Sequence, residues 1–159
     1  MKIAIVYATK HGCTEKCANE LVDKLPNKPQ VFNLNTSPSI NLSEYDTVII
    51  GGSIHIGTIN RKLKKFINAN INELLSKRIA LYICCLFSGQ KAEEQFQNAY
   101  PDELKKIALA TGYFGGELIF EKMNFIERAM AKKVANIESN TSLINTKAIN
   151  DFAQNIIRN

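Results

Sequence analysis

The 159-residue sequence predicts an α/β chain organised as a doubly wound parallel sheet with helices on both faces and right-handed crossovers. Two observations carry that expectation. Short, nearly continuous apolar runs rich in Ile and Val recur along the chain, as in strands covered on both faces. Each is followed by a segment whose apolar residues fall at helical spacing, with Gly, Pro or Asn at the joints.

Residues 2–8 form the first such run, and Gly12 breaks it. Residues 14–25 then carry Cys17, Ala18, Leu21, Val22 and Leu25 on one helical face, closed by Pro26. Residues 31–34 are a weaker strand, and residues 35–39 a turn-rich surface loop. Residues 46–52 form the second strong buried strand, followed by a helix over residues 60–71 with Leu63, Phe66 and Ile67 facing the sheet. Residues 79–86 give another strand. Residues 92–110 read as helical, with Pro101 in the first turn of a new helix. The last strand is placed at residues 113–120, and the last helix begins near Thr146 with Ile149, Phe152, Ala153, Ile156 and Ile157 as its buried stripe. Residues 122–145 exceed this scheme and are read as an insertion holding one extra amphipathic helix.

At this length and with 45% apolar residues the chain is expected to form one domain, over residues 1–159, with a core that needs no disulfide or structural metal. The N-terminal apolar run is too short for a signal peptide, and no run approaches a membrane span of roughly 20 residues, so a cytoplasmic location is expected. Cys13, Cys17, Cys84 and Cys85 are then expected as thiols. They include no CxxC pair, and with only His11 and His55 beside them no zinc site is expected. The net charge of +5 would suggest a nucleic-acid partner if the basic residues were concentrated. Arg61, Lys62, Lys64 and Lys65 cluster, as do Lys122, Arg128, Lys132 and Lys133, but acidic residues are mixed through the rest, so these are read as solvated helix faces and no nucleic acid is expected.

Open parallel sheets bind ligands at the carboxyl ends of their strands. The loop Thr9-Lys10-His11-Gly12-Cys13-Thr14 joins the first strand to the first helix, with hydroxyls at both ends and a glycine between. Free backbone N–H groups at a helix start suit a phosphate dianion. The loop lacks the GxxxxGK[ST] spacing of a triphosphatase and the GxGxxG of a dinucleotide site, so a monophosphate cofactor fits better. An ordinary helix start with no ligand is the alternative. Two more loops follow strands: Ser53-Ile54-His55-Ile56-Gly57 and Leu86-Phe87-Ser88-Gly89. Ile54, Ile56 and Phe87 are odd at solvated loop tips and make sense as clamps on a flat aromatic ring.

Three segments in order, Tyr7-Ala8-Thr9-Lys10-His11-Gly12-Cys13-Thr14-Glu15, Ile50-Gly51-Gly52-Ser53-Ile54-His55-Ile56-Gly57 and Gly115-Gly116-Glu117-Leu118, resemble the flavodoxin superfamily. Within it the chain looks most like short flavodoxin-type proteins related to menaquinone-dependent protoporphyrinogen oxidase. The resemblance implies a flavodoxin-like five-stranded sheet of order 2-1-3-4-5. It implies non-covalent FMN with its phosphate on Thr9, His11, Gly12, Cys13 and Thr14, and its ring between the loops after Gly52 and Leu86. No catalytic acid–base pair is then required, because the cofactor carries the chemistry. The implied function is an FMN-dependent oxidoreductase working with a redox partner protein or a small substrate or quinone. A general electron carrier and a cofactor-free interaction module are the alternatives.

The chain departs from most flavodoxins in having His11 where threonine is usual, no Trp, and a basic balance where electron shuttles are acidic. In residues 124–136, Ile126, Ala129, Met130 and Val134 lie near one helical face, with Arg128 and Lys132 on another. Such a helix could lie on an anionic membrane or pack on its own domain. Cys13 is expected to act through its backbone, and Cys84 and Cys85 as small apolar packing residues.

Overall fold

The computed structural model describes residues 1–37 and 39–159, without the side chains of Val134 and Ala135, so Pro38 in the predicted loop and Val134 on the predicted apolar face lie outside the described residues. Five parallel strands run in the order β2 (Gln30–Asn33), β1 (Ile3–Ala8), β3 (Thr47–His55), β5 (Arg78–Cys84), β6 (Ala108–Tyr113). This is the predicted order once β4 (Thr58–Ile59), a short strand antiparallel to the end of β3, is set aside.

Alternation along the strands sends side chains to two core layers. Ala4, Val6, Val48, Ile50, Leu81 and Ile83 pack against α2 (Arg61–Leu74), α3 (Gly89–Ala99) and α4 (Asp102–Ile107). Ile5, Tyr7, Ile49, Ala80 and Tyr82 pack on the other face against α1 (Cys13–Lys24) and α6 (Thr146–Arg158). In α6, Ile149, Phe152, Ala153 and Ile156 are buried as expected, whereas Ile157 is exposed.

Three placements differ from the sequence reading. Residues 108–110, read as the end of a helix, begin the edge strand β6, and residues 113–120 supply only its last residue and the short β7 (Glu117–Leu118). Ala-Leu-Ala favours a helix locally, but the β5 ladder captures it, and the small residues of β6 admit bulky neighbours: a Cβ on Gly112 would lie 2.4 Å from the Phe114 ring and 3.0 Å from Phe152. The stretch read as a loop after Gly52 is instead the end of β3 and a two-residue turn, Ile56-Gly57, leading into β4. Glycines 51 and 52 sit inside the strand. A Cβ on Gly51 would lie 2.1 Å from the Tyr82 ring, and one on Gly52 would lie 2.5 Å from Ile59.

The insertion holds one helix, α5 (Phe125–Ala135), as expected, started by a capping box between Asn124 and Glu127. Its ends are gathered by β7 pairing antiparallel with β8 (Thr141–Ser142). Among the described residues no helix is long and apolar enough to cross a membrane.

Tyr82 is fully buried and stacked on Phe114 with ring centroids 4.5 Å apart, so it cannot swing aside for a methyl group at residue 51. Gly51→Ala should therefore destabilise the fold by roughly 1–3 kcal/mol in urea unfolding, and an unchanged midpoint would show that the Tyr82 layer yields.

Candidate functional site

The carboxyl ends of β1, β3 and β5 open into one cleft of about 590 Å³, within the range of cofactor pockets. Thr9, Lys10, His11 and Cys13 line it from the β1–α1 loop. Ser53, Ile54, His55, Ile56 and Gly57 line it from the β3–β4 hairpin, and Leu86 and Phe87 from the segment after β5. The other predicted positions lie just outside the lining. Gly12 is the N-cap of α1, Thr14 is buried in its first turn, and Ser88 and Gly89 are exposed at the start of α3.

The loop end of the cleft is built for an anion. Gly12 takes φ 95°, a left-handed conformation open mainly to glycine, and its N–H donates to Thr9 Oγ1 at 2.9 Å, which folds the loop over the helix start. No side chain of the N-cap residue caps α1, so its first-turn N–H groups face the loop without an intrahelical partner. Beside them, Thr14 Oγ1 and Ser53 Oγ are buried with no hydrogen-bond partner. Buried hydroxyls are rarely left so, and both suit a ligand oxygen.

Positive charge surrounds this end. Lys122 Nζ donates to the His11 carbonyl at 3.4 Å. Lys10 pairs with Glu127, and His11 Nε2 lies 3.5 Å from Glu127 Oε2. Lys16 pairs with Glu117 at 2.7 Å. The rings of His11 and His55 meet edge to face at 5.6 Å. Burial, then the charges of His11 and Lys10, push the His55 imidazole below its ordinary pKa, so it is neutral at neutral pH. Hydrogen bonds from Cys17 and Cys84 hold the Cys13 thiol below its ordinary pKa, against its burial.

The far end is apolar and carries strain. Ile56 is 77% exposed and holds φ 50°, where a β-branched side chain is a rare outlier. With Gly57 at φ 73° it forms a two-residue hairpin of the kind that normally recruits Asn-Gly. Strain of this kind costs about 1–3 kcal/mol and gathers at ligand clamps. Phe87, half-buried, also lines the cleft, with Lys91 Nζ 3.6 Å from its ring centroid.

The sequence reading missed the fourth wall, where Met123, Glu127, Met130 and Ala131 line the cleft. The Asn124-x-x-Glu127 pattern announces that helix start, but nothing local announces what the helix covers. On α5 itself, Ile126 and Ala129 face solvent while Met130 and Ala131 turn inward. The small apolar face expected over residues 124–136 is therefore divided between cleft and surface.

Glu127 titrates near 2. Burial opposes its charge, but hydrogen bonds from Lys10 and the Asn124 backbone, and the His11 and Lys10 charges, outweigh it. A depressed carboxyl contributes stability above its unfolded pKa and loses it as pH falls through the folded value. Glu127→Gln keeps the capping box and removes the charge. The gap in unfolding midpoint between wild type and E127Q should be full above about pH 5 and close toward pH 2; a gap independent of pH would sink this account.

Comparison with known proteins places the chain. No curated protein sequence matches it. Among solved structures, oxidised flavodoxin 1 from Bacillus cereus superposes with a TM-score of 0.62 at 16% identity, covering 99% of this chain and 98% of its own. Flavodoxin 2 from Bacillus cereus gives 0.62 at 17% identity, with 99% of each chain covered. Rubredoxin oxygen:oxidoreductase from Desulfovibrio gigas gives 0.61 at 13% identity, covering 99% of this chain and 35% of that one. At these identities the likeness shows a shared fold. A profile described as flavodoxin domain matches residues 4–143, most of the chain, and the protein therefore belongs to the flavodoxin-domain family.

Proposed function

We propose that the cleft binds FMN non-covalently and that the protein passes electrons through it to and from redox partners. The family implies a flavin, typically FMN, and the residues present fit one. The observation that carries the reading is an uncapped helix start, with the orphaned Thr14 hydroxyl buried in its first turn, beside a cleft that a strained, exposed isoleucine and a half-buried phenylalanine also line. A phosphate group matches the first and a flat apolar ring the second.

In this reading the backbone of residues 12–14 and the hydroxyls of Thr9 and Thr14 hold the phosphate. Lys10, His11 and Lys122 supply the neutralising charge. Ile54, Ile56, Leu86 and Phe87 clamp the ring and exclude water, while Ser53 and the neutral His55 offer hydrogen bonds at its edge. Bound FMN supplies the hydride and electron chemistry, and the chain's own residues orient it and set its surroundings.

Exposed hydrophobic side chains support a finer reading in which electrons reach a membrane quinone; oxidation of a porphyrinogen rests on the sequence resemblance alone. Phe125 and Ile126, 85% and 68% exposed, stand at the start of α5 among Lys122, Arg128, Lys132 and Lys133. That combination suits an anionic membrane surface. Co-sedimentation with anionic vesicles should be lost in the double variant Phe125→Ser, Ile126→Ser; vesicle binding that never occurs, or that survives the change, favours a carrier meeting soluble partners.

The purified protein should show flavin absorption bands, with FMN identified by mass as the released ligand. A colourless protein that ignores added FMN would overturn the reading in favour of a cofactor-free interaction module. Replacing Ile56 by Asn should separate stability from binding. The free protein gains on the order of 1 kcal/mol as the turn relaxes, while FMN binds more weakly. Phe87→Ala should also weaken FMN, and unchanged affinity in both variants would place the ring elsewhere.

A further inference from the structure

The fold assembles a thiol cluster that is invisible as a motif. Cys13 and Cys17 stand one turn apart on α1, and Cys84 ends β5 directly beneath them. All three are buried as free cysteines, and their sulfur atoms lie within 4.8 Å of one another. Cys84 Sγ is 3.7 Å from Cys17 Sγ. Cys85 belongs to the opposite core layer, where its thiol donates to the Phe87 carbonyl at 3.4 Å.

We propose that Cys13, Cys17 and Cys84 form a three-thiolate site for one thiophilic d10 cation, of the Zn²⁺ or Cu⁺ kind.

Spacing supports it first. A cation bound to sulfur at about 2.3 Å with near-tetrahedral angles holds two sulfurs about 3.8 Å apart, close to the Cys17–Cys84 separation. A disulfide needs its sulfurs at about 2.05 Å, so the same pair would have to close by well over an ångström. Donor chemistry supports it next, since soft thiolates select d10 metals over the hard cations that carboxylates prefer. Access supports it too. Cys13 and Cys84 also line the cleft, which gives a cation its entry path and leaves a fourth position open on that side, while Cys17 closes the site from within.

The site shares the cleft with the proposed FMN site, but its test needs no flavin. The test titrates the full chain, reduced and freed of FMN, with Cd²⁺ under anaerobic conditions. Expected are one equivalent of binding, an ultraviolet sulfur-to-cadmium charge-transfer band saturating at that equivalent, proton release, and competition by Zn²⁺. Cys17→Ser should abolish the band and Cys85→Ser should leave it intact. Circular dichroism and a cooperative urea transition of C17S report that the fold survives. If C17S does not fold, cadmium-113 resonance of the wild type decides: a single signal coupled to the β-protons of three cysteines supports the site. No band at one equivalent, a band that persists in a folded C17S, or a signal coupled to fewer than three cysteines would overturn it.

Discussion

Tyr82 binds the parts of this molecule together. Its ring fills the space that the missing side chain of Gly51 leaves over β3, stacks on Phe114 and meets the edge of Phe152 from α6. Its hydroxyl donates to the Thr14 carbonyl in the first turn of α1 at 3.3 Å. One side chain thus spans the central strands, the edge strand, the last helix and the helix start that faces the cleft. The loop end of the cleft rests on this buried stack, and a loop so supported can present backbone N–H groups without reorganising.

The sheet itself was legible because its strands are continuous Ile- and Val-rich runs, and α6 because Ile149, Phe152, Ala153 and Ile156 repeat at helical spacing. The errors share a cause. Residues 53–55 read as a loop from composition, yet they continue β3, because the ladder with β5 runs on to Ser53 opposite Cys84. Ala108-Leu109-Ala110 reads as helix from propensity, yet the β5 ladder and the packing under Phe152 make it strand. In each case a neighbour distant in sequence decided against the local preference, and no window along the chain contains that neighbour.

The same holds at the cleft. The phosphate-type loop could be found because residue types and a glycine within six positions suffice to suggest it. The wall made by α5 could not, because Met123, Glu127 and Met130 gain their meaning only when the insertion folds back more than a hundred residues onto Lys10 and His11. The thiol cluster joins two cysteines one helical turn apart to a third at a strand end, a spacing that matches no familiar ligand pattern.

Where α5 meets the β1–α1 loop, it is held largely by charge. Glu127 answers Lys10 and His11, and Lys16 reaches Glu117 at the foot of the insertion, while Phe125 and Ile126 stay in solvent. Such a contact responds to its medium. Dissolved ions shorten the reach of these attractions to about 10 Å at 0.1 M and less above it. An anion entering the cleft would compete with Glu127 for the same cations. Ionic strength thus sets how firmly the carboxylate holds Lys10 and His11.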